Sequence, residues 1–308
     1  MNIYTLTLNP AYDVHAFAQE LALRHENLAQ IQSREAGGKG VNISRALCSG
    51  QTPNTAIVVL GKENSGDFTQ SLAQSSIDCV YLEKEGRIRE NLTLHCGDGT
   101  ETRISFDGFA VDESVLTEVL ANMEATQDSI VTFTGRVPAG IPLEKAKDFL
   151  KLLQRKGVRI VLDSKSFSIE DILEIQPWLI KPNQEEISEY LGAEIKTPEQ
   201  ALEKAAIFAG RGVTNTMVSL GEKGAVLLSN GKAYMATCPP VEAISTIGAG
   251  DSTIAGFIAA AYRGGDAVEC LKTAVSYGTA ACLTAGTLPP LKEDQQKIYA
   301  QVTVKEVV

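Results

Sequence analysis

Short runs of Ile, Val and Leu recur along the chain and set its rhythm. "NIYTLTL" near the N-terminus, "AIVVLG" from Ala56, "SIVTFTG" from Ser129, "VRIVLDS" from Val158, "WLIKPN" from Trp178 and "NTMVSLG" from Asn215 are apolar without strict alternation. Runs of this kind predict strands buried on both faces. Between them the pattern shifts to a helical period. In "IPLEKAKDFLKLLQRKG" residues Leu143, Phe149, Leu150 and Leu153 share a face, and Gly157 closes the helix. "TPEQALEKAAIFAGRG" opens with Thr197 as cap, Pro198 at the first helical position and Gln200 three residues after the cap. Strand, helix and strand in succession predict a parallel sheet with helices on its faces.

Two stretches break that rhythm with alternation of apolar and polar residues. "NLTLHCGDGTETRISF" alternates around Asp98-Gly99, and "AVLLSNGKAYMA" turns at Asn230-Gly231, a strong two-residue hairpin signal. The first hairpin, with the segment after Tyr12, predicts a small sheet apart from the main one, in the manner of a lid. No internal repeat, low-complexity tract or Pro/Ser-rich linker divides the chain. One main domain with an inserted lid is the economical organisation.

Composition narrows the function classes. The 308 residues are 44% hydrophobic and 21% charged, ordinary values for a globular protein. The formal net charge of −10 argues against broad nucleic-acid or membrane-surface binding, although an anionic substrate answers only to local charge. Six cysteines (Cys48, Cys79, Cys96, Cys238, Cys270, Cys282) form no CxxC pair, and the only histidines are His15, His25 and His95. That pattern disfavours a zinc site or a disulfide framework and fits thiols in a reducing cytosol. "MNIYTLTLNP" lacks the basic start and long apolar run of a signal peptide, and "STIAGFIAAAY" is too short to cross a bilayer. A cytoplasmic location is the expectation.

Candidate chemistry gathers at strand ends, where open α/β sheets bind ligands. In "STIGAGDSTIAGFIAAAYRGG" a helix opens with Gly248-Ala249-Gly250 and a carboxylate, Asp251. An acid there caps a helix; equally, a glycine-rich helix N-terminus forms an anion site, and an acid beside an anion site points to chemistry. Asp13 in "LNPAYD" is a turn acid or a functional acid at the end of strand one. In "EAGGKGVNISRAL" Gly37-Gly38 permits close backbone approach, Lys39 brings charge, and a helix begins near Val41. This is no Walker A loop, since Gly40 follows Lys39 and Ser33 stands where the first Gly belongs. Thr253 occupies the last Gly position of a dinucleotide fingerprint, and protein-kinase signatures are absent. Arg87, Arg89, Arg103 and Arg136 are each a surface charge taken singly; converging on a pocket, guanidinium groups suit a phosphate. Arg89 precedes the first strand of the lid hairpin, Arg103 lies on its second, and Arg136 follows "FTG" at another strand end. In "KPNQEEISEYLG" Asn183 and Glu186 are either a helix cap with its reciprocating acid or a shell for magnesium and phosphate.

In order along nearly the whole chain, these stretches resemble the ribokinase-like carbohydrate kinases, the PfkB family. "AGGKGVN" is similar to that family's N-terminal signature and "STIGAGDST" to its C-terminal one, usually D-T-x-G-A-G-D. "TLTLNPAYD" is closer to the branch holding 1-phosphofructokinase and tagatose-6-phosphate kinase than to ribokinase. The resemblance implies a ribokinase-like three-layer α/β/α sandwich with a mainly parallel sheet. It implies one kinase domain over residues 1–308, with a small β lid from about 12–36 and 86–107. The implied reaction is ATP-dependent phosphorylation of a ketohexose phosphate, tagatose 6-phosphate or fructose 1-phosphate, to a bisphosphate. By position, Asp251 would be the base, and the amides of Gly248, Ala249 and Gly250 an anion hole. Asp13, Gly37, Gly38, Lys39 and Asn42 would hold the sugar, and Arg89, Arg103 and Arg136 its existing phosphate. Asn183 and Glu186 would organise the ATP phosphates and Mg2+, with Glu186 acting on the metal indirectly. "SLGEKG", with Ser219, Gly221 and Gly224, would border the nucleotide. Ser245, Ile247, Ala281, Thr284 and Gly286 would form a loop for a monovalent cation such as K+, and the lid would pair two chains into a homodimer. Two departures stand out: Arg136 replaces a small residue in "FTGRVPAG", where the family usually reads S-G-S-x-P-x-G, and Ser245 replaces the first Asp of the C-terminal signature. The alternatives are a kinase of an unphosphorylated sugar or nucleoside, and a silent regulator that binds a sugar phosphate.

Overall fold

The structure is a computed structural model that describes residues 1–307. The chain runs β1 (Ile3–Thr7), β2 (Ala11–Ala18), β3 (Gln30–Gly37), α1 (Lys39–Ser49), β4 (Thr55–Gly61), α2 (Ser65–Gln74), β5 (Asp78–Lys84), β6 (Arg89–Cys96) and β7 (Glu101–Ser105). It continues through α3 (Ser114–Ala121), β8 (Ile130–Thr134), α4 (Leu143–Arg155), β9 (Arg159–Asp163), α5 (Ile169–Ile175), β10 (Leu179–Ile180), α6 (Gln184–Leu191), α7 (Pro198–Ala209) and β11 (Asn215–Ser219). The last part holds β12 (Ala225–Ser229), β13 (Lys232–Thr237), α8 (Ala249–Tyr262), α9 (Ala267–Ala281), α10 (Lys292–Tyr299) and β14 (Thr303–Val307).

The main sheet has ten strands in the order β14-β13-β12-β11-β10-β9-β8-β1-β4-β5. From β5 to β11 all neighbours are parallel, and the β12–β13 hairpin and β14 add an antiparallel edge. The apolar runs form the central strands because helices cover both faces. On one face Leu6, Phe133 and Leu162 meet Phe149 and Leu150 of α4, Ile187 of α6 and Phe208 of α7. On the other, Ile3 and Ile130 meet Leu47 of α1, Ile254 and Phe257 of α8, Leu271 of α9 and Ile298 of α10. This is a three-layer α/β/α sandwich. α8 is buried on nearly every side because its residues are almost all small or apolar.

A second sheet, β3-β2-β6-β7, comes from the segments that break the parallel rhythm. β6 begins at Arg89 itself, and its hairpin partner β7 places Thr93 opposite Arg103. β2 and β6 are parallel, with Asp13 opposite Asn91. The β12–β13 turn has Asn230 and Gly231 both at positive φ (48° and 79°), as a type I′ turn requires. Thr197, Pro198 and Gln200 make the expected capping box. α1 differs from expectation: it begins at Lys39 rather than near Val41, because Gly38 at φ 117° turns the chain directly into the helix.

Phe133 ties the sheet to its covering layer. It is buried at 2% exposure, and its ring lies 5.7 Å from that of Phe167 and 6.3 Å from that of Phe149. Phe133→Ala is expected to reduce unfolding free energy by about 3–5 kcal/mol. Urea denaturation would read this as a lower midpoint at unchanged slope.

Candidate functional site

The junction of β3 and α1 touches three carboxylates. Gly37 lies against Asp13, so close that any side chain there would collide with the carboxylate. Lys39 Nζ pairs with Asp163 Oδ2 at 2.8 Å, and Asn42 Nδ2 donates to Asp251 Oδ2 at 2.9 Å. One short segment therefore links the start of β2, the end of β9 and the start of α8.

Burial dominates the electrostatics of Asp251 and pushes its pKa from 3.8 up to about 6. Lys39 and the Asn42 hydrogen bond oppose that rise without cancelling it. For Lys39 burial favours the neutral amine, but Asp163 and then Asp251 outweigh it and hold its pKa above the ordinary lysine value. Asp163 is also buried, yet Lys39 and Lys181 hold its pKa below the usual carboxylate range. The site thus contains a Lys39–Asp163 pair in which each partner favours the other's charged form, beside one carboxylate, Asp251, pushed up to about 6. A carboxylate of that kind suits general-base work.

Asp251 lies in the first turn of α8, whose N-cap Gly248 is left-handed (φ 78°) with no side-chain cap bond. The first N–H groups of Ala249, Gly250 and Asp251 are those a helix leaves without intrahelical partners. A Cβ on Gly250 would sit 3.2 Å from Lys181 Nζ, so the helix start and a lysine face the same small space. N–H dipoles and an ammonium together make an anion cradle.

Asp13 sits on the second sheet with Asn91 Nδ2 3.0 Å and Arg103 Nη2 3.7 Å from its Oδ1. Arg89 donates to the Phe106 carbonyl at 2.9 Å, while its Nε is buried with no partner. Its pKa is depressed first by burial; Asp13 opposes this, and Arg136 and Arg103 add to it. Three guanidinium groups therefore crowd one region, and Arg136 is exposed at the carboxyl end of β8. An anion would relieve that crowding.

Asn183 and Glu186 form a capping box: Asn183 Oδ1 accepts from Glu186 N at 2.7 Å, and Glu186 Oε2 accepts from Asn183 N at 3.0 Å. Glu186 Oε1 stays 3.7 Å from Lys165 Nζ, on a cleft also lined by Asp163, Lys181 and Tyr190. A bridge between Asn183 and Ser219 joins this turn to the Gly221–Lys223 3-10 turn, which Gly224 closes at φ 91°. Among the described residues no cluster of three His, Cys, Asp or Glu side chains could hold a metal. The donor set fits a divalent ion carried by nucleotide phosphates, which asks for one or two carboxylates at most.

The residues expected to form a loop for a monovalent cation lie on two segments joined by Ile244 N and Ser245 N donating to the Cys282 carbonyl at 2.8 and 3.3 Å. Ile247 N donates to Ser245 Oγ, and Thr284 Oγ1 donates to the carbonyls of Ala281 and Leu288. Gly286 packs beside His15 of the second sheet. Sequence patterns gave no notice of Asp163, Lys181 or Asn91. Asp163 and Lys181 end apolar strands, and position at a strand end was the one signal available for them.

The chain matches the profile of the pfkB family of carbohydrate kinases over residues 7–294. It is 31% identical over 260 residues to the 1-phosphofructokinase of Escherichia coli strain K12, an alignment that covers 83% of each chain. The solved structure of phosphofructokinase-2 from Escherichia coli in complex with substrates and products superimposes with a TM-score of 0.90. It is 29% identical and covers 98% of this chain and 99% of that one. The same enzyme in complex with potassium superimposes at a TM-score of 0.89 with 28% identity, covering 97% and 98%.

If Asp251 must be ionised to accept a proton, kcat/KM falls as pH drops through its raised value. A pH–rate profile should therefore show an acid limb near 6. Asn42→Ala removes a donor that favours the ionised form, so the limb should move to higher pH. A limb near the unperturbed aspartate value would overturn the assignment.

Proposed function

The chain belongs to the pfkB family of carbohydrate kinases, and from that premise we propose that it phosphorylates a ketohexose phosphate to a bisphosphate. Fructose 1-phosphate is the first candidate, because the relative from Escherichia coli carries the name 1-phosphofructokinase. Tagatose 6-phosphate and fructose 6-phosphate are epimeric or positional variants that the same pocket chemistry admits. The observation that carries a phosphorylated rather than a free sugar is the crowding of Arg89, Arg103 and Arg136 beside Asp13.

In this reading ATP supplies the transferable γ-phosphoryl group, with Mg2+ as its partner. Asp13, Gly37, Gly38, Lys39 and Asn42 orient the sugar, and the three arginines hold its existing phosphate. Asp251 takes the proton of the attacking hydroxyl. Its burial supports the role, since a group titrating near 6 accepts a proton more readily than an exposed carboxylate. The amides of Gly248, Ala249 and Gly250, with Lys181, stabilise charge that develops on the phosphoryl oxygens. Lys39 stays protonated throughout and keeps a positive charge beside the reacting groups. Asn183 and Ser219 line the nucleotide side with Gly221 and Gly224, and Glu186 reaches the metal through water. The loop carrying Ser245, Ile247, Ala281, Thr284 and Gly286 takes a monovalent cation; the potassium complex of the structural relative supports testing K+ first.

The whole chain acts as one kinase domain, with the second sheet as a lid over the site. Leu23, Leu28, Ile31 and Phe106 on or beside that sheet are exposed. An apolar patch on a lid suits a second copy of the chain. Among the described residues no helix is long and apolar enough to cross a membrane.

The decisive measurement is ADP release with Mg2+ and ATP against fructose 1-phosphate, tagatose 6-phosphate, fructose 6-phosphate, free fructose, free tagatose and ribose. Turnover confined to sugar phosphates supports the proposal. Turnover of free sugars alone, or binding of a sugar phosphate without turnover, replaces it with one of the alternatives. Asp251→Asn should fold normally and lose about 10²–10⁴-fold in kcat. Arg89→Ala should raise the sugar-phosphate KM about tenfold or more at unchanged ATP KM. Sedimentation should give a dimer for the wild type and a monomer for the Ile31→Asp/Phe106→Asp double variant.

A further inference from the structure

Asn91 is buried at 6% exposure on β6, directly opposite Asp13 of β2. A carboxylate only accepts hydrogen bonds, so the amide must turn its Nδ2 toward Asp13 Oδ1, 3.0 Å away. That orientation fixes where the amide oxygen goes, and Asn91 Oδ1 is buried with no partner. Leaving such an acceptor unmade costs about 1–3 kcal/mol, so a residue kept in this state has a use for it.

Position along the strand says what the use is. Side chains two apart on a strand share a face, so Arg89, Asn91 and Thr93 point the same way, and Thr93 is paired with Arg103. Asn91 therefore shares a face of β6 with Arg89, between Asp13 of β2 on one side and β7, which carries Arg103, on the other. The same device recurs across the site: Asn42 donates to Asp251, and its own Oδ1 is likewise buried and unpartnered. Two of the three carboxylates of the site, Asp13 and Asp251, are each held by an asparagine whose oxygen is left free.

We propose that Asn91 is a specificity-determining residue of the sugar site: its N–H fixes Asp13, and its free amide oxygen accepts a hydroxyl of the sugar next to the phosphate end. The inference rests on the sugar-phosphate reading above. The ligand class is a polyol phosphate with a free hydroxyl near the phosphorylated end.

The test uses the full chain and the sugar phosphate from the panel that the wild type turns over fastest. Silence of the wild type across the panel would overturn the functional reading and this inference with it. With the wild type active, Asn91→Ala should raise the sugar-phosphate KM about tenfold or more, leaving the ATP KM and the melting temperature unchanged. Wild-type kinetics in that variant would overturn the inference alone. Asn91→Asp gives a second readout. Two carboxylates about 3 Å apart share one proton, and the protonated acid restores both the donor toward Asp13 and the free oxygen. The charged and titratable groups near the pair are Glu35 of β3, opposite Asp13, His15 of β2, Arg45 of α1, Arg89 and Arg103. The Asn91→Asp KM, relative to wild type at each pH, should fall toward wild type as pH is lowered, whereas the Asn91→Ala ratio stays flat. A flat Asn91→Asp ratio sinks the proposal, and a falling one shows that the pair with Asp13 governs sugar binding. Finally, Asn91→Ala placed on Asp13→Asn should weaken sugar-phosphate binding severalfold further. No further loss would mean that Asn91 acts only through Asp13, and the direct contact would be wrong.

Discussion

Everything in the site hangs on the turn from Gly37 to Asn42. Gly38 takes a positive φ that other residues avoid, and the helix starts at the next residue. Any side chain at Gly40 would meet the Leu6 carbonyl at the end of β1, so the helix lies hard against the central strand. That geometry places one face of six residues against Asp13, Asp163 and Asp251 together. The three acids come from the small sheet, from β9 and from α8, elements with no sequence proximity. Without this turn they would be three unrelated carboxylates at strand and helix ends.

The overall charge of −10 says nothing about this region, where Lys39, Lys181, Arg89, Arg103 and Arg136 gather. Buried ion pairs are weak stabilisers because desolvation offsets their attraction. The Lys39–Asp163 pair is therefore poorly explained as a device for stability. It is better explained as a fixed charge pair next to a carboxylate whose protonation changes near neutral pH. Arg89 Nε, Asn42 Oδ1 and Asn91 Oδ1 are buried without partners in the site; the other such atoms among the described residues are threonine hydroxyls, among them Thr5, Thr132 and Thr216 of the central strands. Proteins concentrate such conflicts where function requires them.

The central strands were legible because runs such as "SIVTFTG" and "VRIVLDS" are apolar on both faces, which only a covered parallel sheet tolerates. The Thr197 cap and the Asn230-Gly231 turn were legible because their chemistry is local. The edge strands β5 and β14 were not, since a half-exposed strand carries polar residues in no fixed order. Asn183 and Glu186 show the limit of local chemistry. Their spacing reads as a cap or as a ligand shell, and the structure displays the cap while leaving one oxygen of Glu186 on the cleft. Asp163, Lys181 and Asn91 acquire their meaning only from tertiary register. Asn91 in "RENLTLHC" is an ordinary polar residue of an alternating strand until pairing sets it opposite Asp13.

Under the proposed function, the charge state of Lys39 matters for how the site meets an anionic nucleotide. Each phosphate brought near Asp251 favours its protonated form, which works against the proposed role as base. Lys39 counters this only if it keeps its own proton over the whole working range. Asp163 secures that: it contributes the largest attraction to Lys39 and, being held ionised by Lys39 and Lys181 in return, does not titrate with Asp251. Asp163 thus works at one remove, by keeping constant the cation that lets Asp251 change.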